Sequence, residues 1–218
     1  MNFKHKINIF LENKKWLDKK IFKSKKSIDN FIYYLSQITI NECFLQPKFK
    51  KFKNLKTNIN FILADDRFLK KLNTDFLNKK KSTNVLSFPN KKFFNNKENF
   101  LGEIFLSYET CKKEAKKFKI SNKDRIGHLI VHSTLHLLDY DHKTKIDEKK
   151  IDERIKCASL FLFLNKSWKN SVIGFFIVLF LFLYSKKFMN LFFFFFPSEA
   201  NQTINRIYMP KARIQRIK

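Results

Sequence analysis

The sequence predicts an α/β fold, a small mixed β-sheet with surrounding helices and a histidine-bearing helix packed centrally. Short segments with strand-like hydrophobicity recur along the chain, and segments with helical spacing of apolar residues separate them. A longer apolar helix closes the series. A chain of 218 residues accommodates one domain of about 150 residues and an extension.

The elements follow one another along the chain. INIFL from Ile7 is typical of a short strand, and SIDNFIYYLSQI is typical of an amphipathic helix that begins near Ser27 or Asp29. NINFILAD from Asn58 alternates as a second strand. Next come a helix over residues 66–76, strands in VLSF and EIFLS separated by the polar stretch NKKFFNNKEN, a lysine-faced helix in SYETCKKEAKKF, and a helix over residues 124–138.

Four of the five histidines lie in the fifteen-residue stretch HLIVHSTLHLLDYDH. His132 and His136 are four residues apart, so on a helix their imidazoles share one face. His142 falls roughly 80° away from that face if the helix continues, so we expect the helix to end before it. Asp139 tolerates a left-handed turn and would let the chain fold back over the helix end.

Three neutral imidazoles suit a zinc ion with one coordination position left for water, as in catalytic sites. Zinc lowers the pKa of that water and provides a nucleophile for hydrolysis. The alternative is that these are ordinary histidines of a half-buried helix, which their clustering disfavours. His128 continues the series one turn earlier, and the sequence leaves open whether it supports a ligand or only packs. Ser133 stands where a zinc protease of the HExxH type has its glutamate, so a peptidase is disfavoured.

Four motifs in order resemble those of the YbeY family of metal-dependent endoribonucleases. HSTLHLLDYDH resembles the family's HGxLHLLGYDH, TNVLSFP at residues 83–89 its T(D/N)VLSFP, LGEIFLS at residues 101–107 its LGDIxIS, and LADDRFLKKLN at residues 63–73 the segment leading to its LN pair. The likeness covers roughly residues 1–163. It implies that His132, His136 and His142 bind the metal, one zinc ion, and that ribosomal RNA and the small ribosomal subunit are partners.

The sequence departs from the family pattern at three positions. Leu77 occupies the place of an arginine that the resemblance makes important for activity, and only Lys79 or Lys80 could supply a nearby cation. A lysine cannot grip phosphate bidentately as an arginine does. Ser133 and Asp139 replace two family glycines. The catalytic group, apart from metal-bound water, therefore stays unassigned.

Composition limits the remaining possibilities. The formal net charge of +26 suggests a polyanionic partner, although the abundance of Lys, Phe, Ile and Asn is also expected of an A/T-biased genome. Cys43, Cys111 and Cys157 are far apart without a CxxC motif, which predicts reduced structural thiols in a cytoplasmic protein. No N-terminal signal is predicted.

The character of the sequence changes after residue 164. We predict a metal-dependent endoribonuclease domain over residues 1–164, followed by a Phe-rich hydrophobic segment and basic tail over residues 165–218. Residues 172–196 suit membrane contact, but a spanning helix would bury two lysines. A translated extension without function is an equal alternative. Before the boundary, the acidic residues Asp147, Glu148, Asp152 and Glu153 fit a solvated helix face better than a metal site.

Three functions remain open. The favoured one is a zinc-dependent, single-strand-specific endoribonuclease acting in small-subunit ribosomal RNA 3′ maturation and ribosome quality control. The second is a ribosome-assembly factor that keeps the metal and RNA binding but has weakened catalysis, which Leu77 supports. The third is a metal hydrolase of another substrate tethered to a membrane, which the four motifs disfavour.

Overall fold

The computed structural model describes residues 5–52, 55–95 and 99–140. Its strands are β1 (Lys6–Leu11), β2 (Asn58–Ala64), β3 (Val85–Pro89) and β4 (Phe100–Ser107). Its helices are α1 (Lys25–Phe44), α2 (Asp66–Leu77), the short α3 (Lys91–Phe94), α4 (Tyr108–Phe118) and α5 (Asn122–Leu137). Two 3₁₀ turns, Lys14–Leu17 and Pro47–Phe52, lie in the loops around α1.

The four strands form one mixed sheet in the order β1-β2-β4-β3. β1, β2 and β4 are parallel, and β3 pairs antiparallel with β4 at the edge. The register places Asn8 beside Asn60 and Asn60 beside Glu103, so these side chains share one face. The predicted α/β class with a small mixed sheet is confirmed.

The two faces of the sheet are covered differently. On one face Phe61, Leu63, Ile104 and Leu106 are almost completely buried, and α5 packs against β3 and β4 while also contacting α1. On the other face α2 inserts Leu69 into a cluster with Ile62, Ala64 and Leu86. The helix that carries the histidines thus lies in the main core layer, as the sequence predicts.

Helix α1 begins earlier than predicted. Ser24 is its N-cap, and Ser24 and Ser27 form a capping box in which each hydroxyl serves the other residue's backbone N–H. The predicted start near Ser27 is confirmed to within two residues, since Ser27 is the third residue of the first turn, and Asp29 lies further inside the helix. Within the polar stretch after β3, residues 91–94 form the short helix α3, in which Phe93 is completely buried.

Several sequence predictions fall outside the described residues. These are His142, the acidic helix with Asp147, Glu148, Asp152 and Glu153, the thiol of Cys157, the domain boundary at residue 164 and the segment 172–196, and all remain predictions. Among the helices that the structure describes, none combines the length and the apolar character needed to cross a bilayer.

Candidate metal centre

Helix α5 presents His132 and His136 because its apolar residues occupy the opposite side. Ser121 caps the helix by accepting a hydrogen bond from the Asp124 backbone N–H at 3.0 Å. Residues of the buried side, such as Ile130 and Leu135, are fully inaccessible, whereas both histidines are half-buried. The two imidazoles are thus held by a packed helix and remain reachable from solvent.

The imidazoles of His132 and His136 converge on each other. Their Nε2 atoms are 3.1 Å apart, and their rings are nearly perpendicular with centroids 4.5 Å apart. Two nitrogens that bind one tetrahedral zinc at the usual bond length are about 3.3 Å apart. The same separation fits an N–H···N hydrogen bond, in which a proton lies where the metal would bind. The pair therefore fits one edge of a zinc site.

The end of α5 confirms the predicted left-handed turn at Asp139. Asp139 adopts a left-handed conformation with φ of 58°. Its N–H donates to the His136 carbonyl, and the Tyr140 N–H donates to the Leu135 carbonyl, both at 3.1 Å. These two bonds form a Schellman motif, so Asp139 does what a glycine does elsewhere in this position. The helix thus ends one residue after His136, and the left-handed turn follows at Asp139, before the predicted third ligand.

The complete three-histidine site is not tested by the described residues. Within residues 5–52, 55–95 and 99–140, no three His, Cys, Asp or Glu side chains are grouped so that they could hold a metal. His142 lies outside these ranges. Its role as third ligand stays a prediction, while the first two ligands have the geometry that the prediction requires.

Gly102 of β4 fixes the last turn of α5 on the sheet. Its φ is +142°, and a Cβ atom there would lie 2.3 Å from the Phe88 carbonyl oxygen and 3.0 Å from Cδ2 of Leu137. Only a glycine permits this approach. Because Leu137 follows His136 directly, the close contact holds the position of the candidate ligand.

A second contact, which the sequence did not predict, holds the start of α5. The Nε and Nη2 atoms of Arg125 both donate to Oε2 of Glu114, at 2.9 and 2.7 Å. Glu114 also accepts from Nδ2 of Asn84, within the TNVLSFP motif, at 3.0 and 3.1 Å. The side chains of Arg125 and Glu114 are only 13% and 24% exposed. This charge-assisted network joins α5 to α4 and to the residue that directly precedes β3.

His128 lies beside His132 with nearly parallel rings, 18° apart in orientation and 6.1 Å apart at their centroids. Burial, together with the nearby charge of Arg125, lowers the pKa of His128 to about 3. Its imidazole is therefore neutral at neutral pH. These contacts favour packing against a candidate ligand, and they leave the alternative of a supporting hydrogen bond open.

The residues that depart from the family pattern are accommodated. Ser133 is completely buried, and its hydroxyl donates to the Ile130 carbonyl at 3.1 Å, so no polar group is left unsatisfied there. Leu77 is 50% exposed on the last turn of α2. Lys79 and Lys80 follow the helix end and are exposed. The two lysines named as substitutes for an arginine at position 77 are thus solvent-accessible.

Asp66 organises the carboxyl end of the parallel strands, a role that the sequence did not reveal. Its Oδ1 accepts hydrogen bonds from the hydroxyls of Ser82, Ser107 and Thr110. Burial by itself would raise the pKa of Asp66. Together the hydrogen bonds outweigh the effect of burial and hold that pKa below its usual value. The carboxylate joins α2, the loop before β3 and the β4–α4 junction, so its role is structural.

The cysteines that the structure describes agree with the predicted reduced thiols. Cys43 and Cys111 are both buried. Burial raises the pKa of the Cys111 thiol far above its usual value, which suppresses the thiolate that would bind a metal.

Comparisons with known proteins extend the resemblance beyond the four motifs. The Endoribonuclease YbeY family model matches residues 21–158. A Buchnera aphidicola protein named Endoribonuclease YbeY is 42% identical over 119 residues, which are 53% of this chain and 74% of that protein. A Pelagibacter ubique protein of the same name is 36% identical over 147 residues, 67% of this chain and 88% of the relative.

A third relative, from Wigglesworthia glossinidia brevipalpis and also named Endoribonuclease YbeY, is 37% identical over 144 residues, 65% of this chain and 87% of its own length. A solution structure of a Thermotoga maritima protein has a TM-score of 0.45 and 21% identity, covering 76% of this chain and 97% of that one. That structural likeness is too low to add to the evidence from sequence. The family match contains His132, His136, His142 and Leu77.

Proposed function

The chain belongs to the Endoribonuclease YbeY family, and on that basis we propose that it is a zinc-dependent endoribonuclease that cuts single-stranded RNA. The observation that carries the proposal beyond family membership is the convergence of the His132 and His136 Nε2 atoms to 3.1 Å on an accessible helix face. Such a pair has a chemical use in a hydrolase because it supplies two of the ligands that a catalytic zinc needs.

His132 and His136, with His142, would hold the zinc. When bound, the ion would supply Lewis-acid activation of the scissile phosphodiester and of water. The protein itself fixes the ligands through the Gly102 contact at one end of α5 and the Glu114 network at the other. It also keeps His128 neutral beside His132, which avoids a like charge next to the metal.

The substrate class follows from family membership and from charge. A net charge of +26 favours binding of a polyanion such as RNA. The family resemblance supports the proposal that the enzyme acts in ribosomal RNA processing, at the 3′ end of the small-subunit RNA, and in ribosome quality control, with the small ribosomal subunit as partner. The cytoplasm is the expected compartment.

A second candidate function is favoured by Leu77. An apolar side chain that is 50% exposed stands where the family has an arginine, and only exposed lysines follow it. A protein that keeps the metal and RNA binding but catalyses slowly would act as a ribosome-assembly factor. The two candidates differ in turnover, and both need the metal.

The first experiment measures zinc in the purified protein. We expect about one zinc per chain, and loss of it in His136→Ala, because two remaining imidazoles make a poor site. His128→Gln is the matched control, since it removes a histidine of the same series that is not a proposed ligand, and it should keep its zinc. Stoichiometric zinc in a variant lacking His132, His136 and His142 would refute the assignment.

The second experiment separates the enzyme from the assembly factor. Single-stranded ribosomal RNA is incubated with the parent, Leu77→Arg and the control Leu45→Arg, each with and without chelator. Leu45 is exposed like Leu77 but lies at the end of α1. If a cation at position 77 stabilises developing charge, Leu77→Arg should raise cleavage by about 10²- to 10³-fold and Leu45→Arg should not.

The outcomes are distinct. Chelator-sensitive cleavage by the parent supports the enzyme, and cleavage gained only in Leu77→Arg supports an enzyme that has decayed. If neither cleaves, with zinc present in both and binding to the small subunit retained, the assembly factor is the correct function.

A further inference from the structure

The sheet face that carries α2 holds a row of aromatic rings. Phe68 stacks on Phe105 with centroids 6.0 Å apart, Phe105 meets Phe88 edge-on at 5.6 Å, and Phe88 meets Phe76 at 5.2 Å. We call these four residues the ring row. Phe68 is 39% exposed and Phe76 is 65% exposed, so both ends of the row reach the surface. An exposed apolar surface of this kind marks an interaction site more often than a random surface does.

A polar row runs beside these rings on the same face. Asn8 Nδ2 donates to Asn60 Oδ1 at 2.9 Å, and Asn60 Nδ2 donates to Glu103 Oε1 at 3.0 Å. All three residues are half-buried. Glu103 is paired in register with Phe88, so a carboxylate lies directly beside one of the rings. Its second oxygen makes no hydrogen bond within the part of the chain that the structure describes, and can accept one from a ligand.

We propose that this face binds unpaired bases of single-stranded RNA, which stack on the ring row and donate an exocyclic N–H to Glu103. The inference rests on the proposed function, because it names how the RNA substrate is held. A nucleobase has a π face for the rings and N–H donors at its edge for the carboxylate. An apolar protein surface or a lipid chain would instead cover Glu103 without a donor, which is unfavourable for a charged group.

The charges around the ring row fit the same ligand. Phe76 is followed closely by Lys79, Lys80 and Lys81, all of which are exposed. Phosphates of an RNA strand whose bases stack on Phe76 could lie among these ammonium groups. Aromatic platforms flanked by cations are the usual means by which proteins hold single strands.

The ring row also lies near the candidate metal centre. The Phe88 carbonyl is the atom that a Cβ on Gly102 would strike, and Leu137 of α5 packs against the same glycine from the opposite face of the sheet. β3 is an edge strand of the described sheet. A strand of RNA held on the ring row could therefore cross a single edge strand towards the helix that carries His132 and His136.

The test measures binding without cleavage. Fluorescence anisotropy of labelled oligocytidine of about twelve nucleotides, within the usual range of single-strand sites, is followed in chelator with the full chain. Phe76→Ala should weaken binding by about 5- to 100-fold, as loss of one stacked base does. The salt dependence should not change, since no cation is removed. Leu45→Ala, the matched control, removes an equally exposed side chain elsewhere and should bind like the parent.

Further variants distinguish a lost ring from a disturbed fold. Phe76→Leu keeps an apolar side chain without the ring and should bind as weakly as Phe76→Ala, whereas Phe76→Trp should restore binding. A duplex RNA, whose bases are not available for stacking, should bind all variants alike. Glu103→Gln should reduce the preference for oligocytidine over oligouridine, because cytosine offers an amino group and uracil does not.

The inference fails if Phe76→Ala and Phe76→Leu bind oligocytidine as tightly as the parent. It fails equally if sedimentation shows that Phe76→Ala converts a dimer to a monomer without changing RNA affinity, since the face would then hold a second copy. If the parent protein binds oligocytidine and oligouridine equally well, Glu103 is not part of the site. Because binding is measured in chelator, the result does not depend on zinc or on cleavage. A chain without zinc or activity can still bind RNA on this face, and a chain that cleaves RNA can still lack binding there, so the two proposals are tested separately.

Discussion

Replacing Gly102 with alanine should loosen the candidate metal centre. The added methyl group would push β3 away from β4 and Leu137 of α5 away from the sheet. The added methyl group would lie 2.3 Å from the Phe88 carbonyl oxygen, in a backbone conformation with φ of +142°. Carbon and carbonyl oxygen are about 3.3 to 3.6 Å apart even in close C–H···O contacts. β3 and β4 must therefore separate by roughly 1 Å at this point, and Leu137 must withdraw as well.

The magnitude follows from two costs. A non-glycine residue in this backbone region costs about 1 to 3 kcal/mol. Overpacking against a backbone atom that cannot rotate away costs about 1 to 3 kcal/mol more. The free energy of unfolding should thus fall by about 2 to 6 kcal/mol, a large part of the 5 to 15 kcal/mol that is usual for a folded domain.

Urea unfolding followed by circular dichroism measures this loss. With the slopes usual for small proteins, the midpoint should fall by roughly 1 to 3 M. Zinc content should fall in the same samples, because His136 precedes the displaced Leu137. A Gly102→Ala protein whose midpoint and zinc content equal those of the parent would refute the view that this glycine sets the distance between α5 and the sheet.

Three other changes test separate parts of the structure. Asp139→Gly should raise the free energy of unfolding by roughly 0.5 to 1.5 kcal/mol, because a left-handed φ and a negative charge at a helix C-terminus both disfavour aspartate; a lower thermal midpoint would contradict this reasoning. Folding lowers the pKa of Asp66. The ionised carboxylate therefore stabilises the folded state fully at pH values above its usual pKa of 3.8, and this stabilisation is lost as the pH falls through the pKa of the folded state. The stability difference between the parent and Asp66→Asn should accordingly shrink in acid, and a difference that stays constant from neutral pH to pH values below about 3 would rule out this linkage. A chain that ends at Leu164 should keep its circular dichroism spectrum and its zinc, since the four motifs precede that residue; unfolding on truncation would place the boundary further along the chain.

The sequence allowed the sheet and helices to be predicted because their signals are local. Alternation predicted β2, and helical spacing predicted α2 and α5 with boundaries within two residues. The start of α1 was predicted to within two residues, but Ser24 and Ser27 are both good caps, and only the structure shows that Ser24 is the N-cap. The 3₁₀ turn around Trp16 has no periodic pattern and depends on a distant partner, since the indole N–H donates to the Ala64 carbonyl.

The candidate site likewise has features that the sequence predicted and features that it did not. The spacing of His132 and His136 and the turn at Asp139 were predictable, because both follow from the geometry of a single helix and its end. The bonds of Glu114 to Asn84 and Arg125 were not, because they join three segments of the chain. Gly102 occurs in a recognisable motif, but its need for a positive φ becomes evident only when β3 and α5 are in place.

The pairing of β1 with β2 has a consequence for how the chain folds. Their partner residues are separated by 52 positions, as for Asn8 and Asn60, and among the strands that the structure describes β1 pairs with β2 alone. During synthesis β1 must therefore wait, with its edges unpaired, until α1 and β2 have emerged. Its apolar residues Ile7, Ile9 and Phe10 are exposed to other nascent chains for that time. We expect folding yield to depend on how fast the first sixty or so residues are completed, and slow translation of that stretch should increase aggregation more than slow translation of the region after β4.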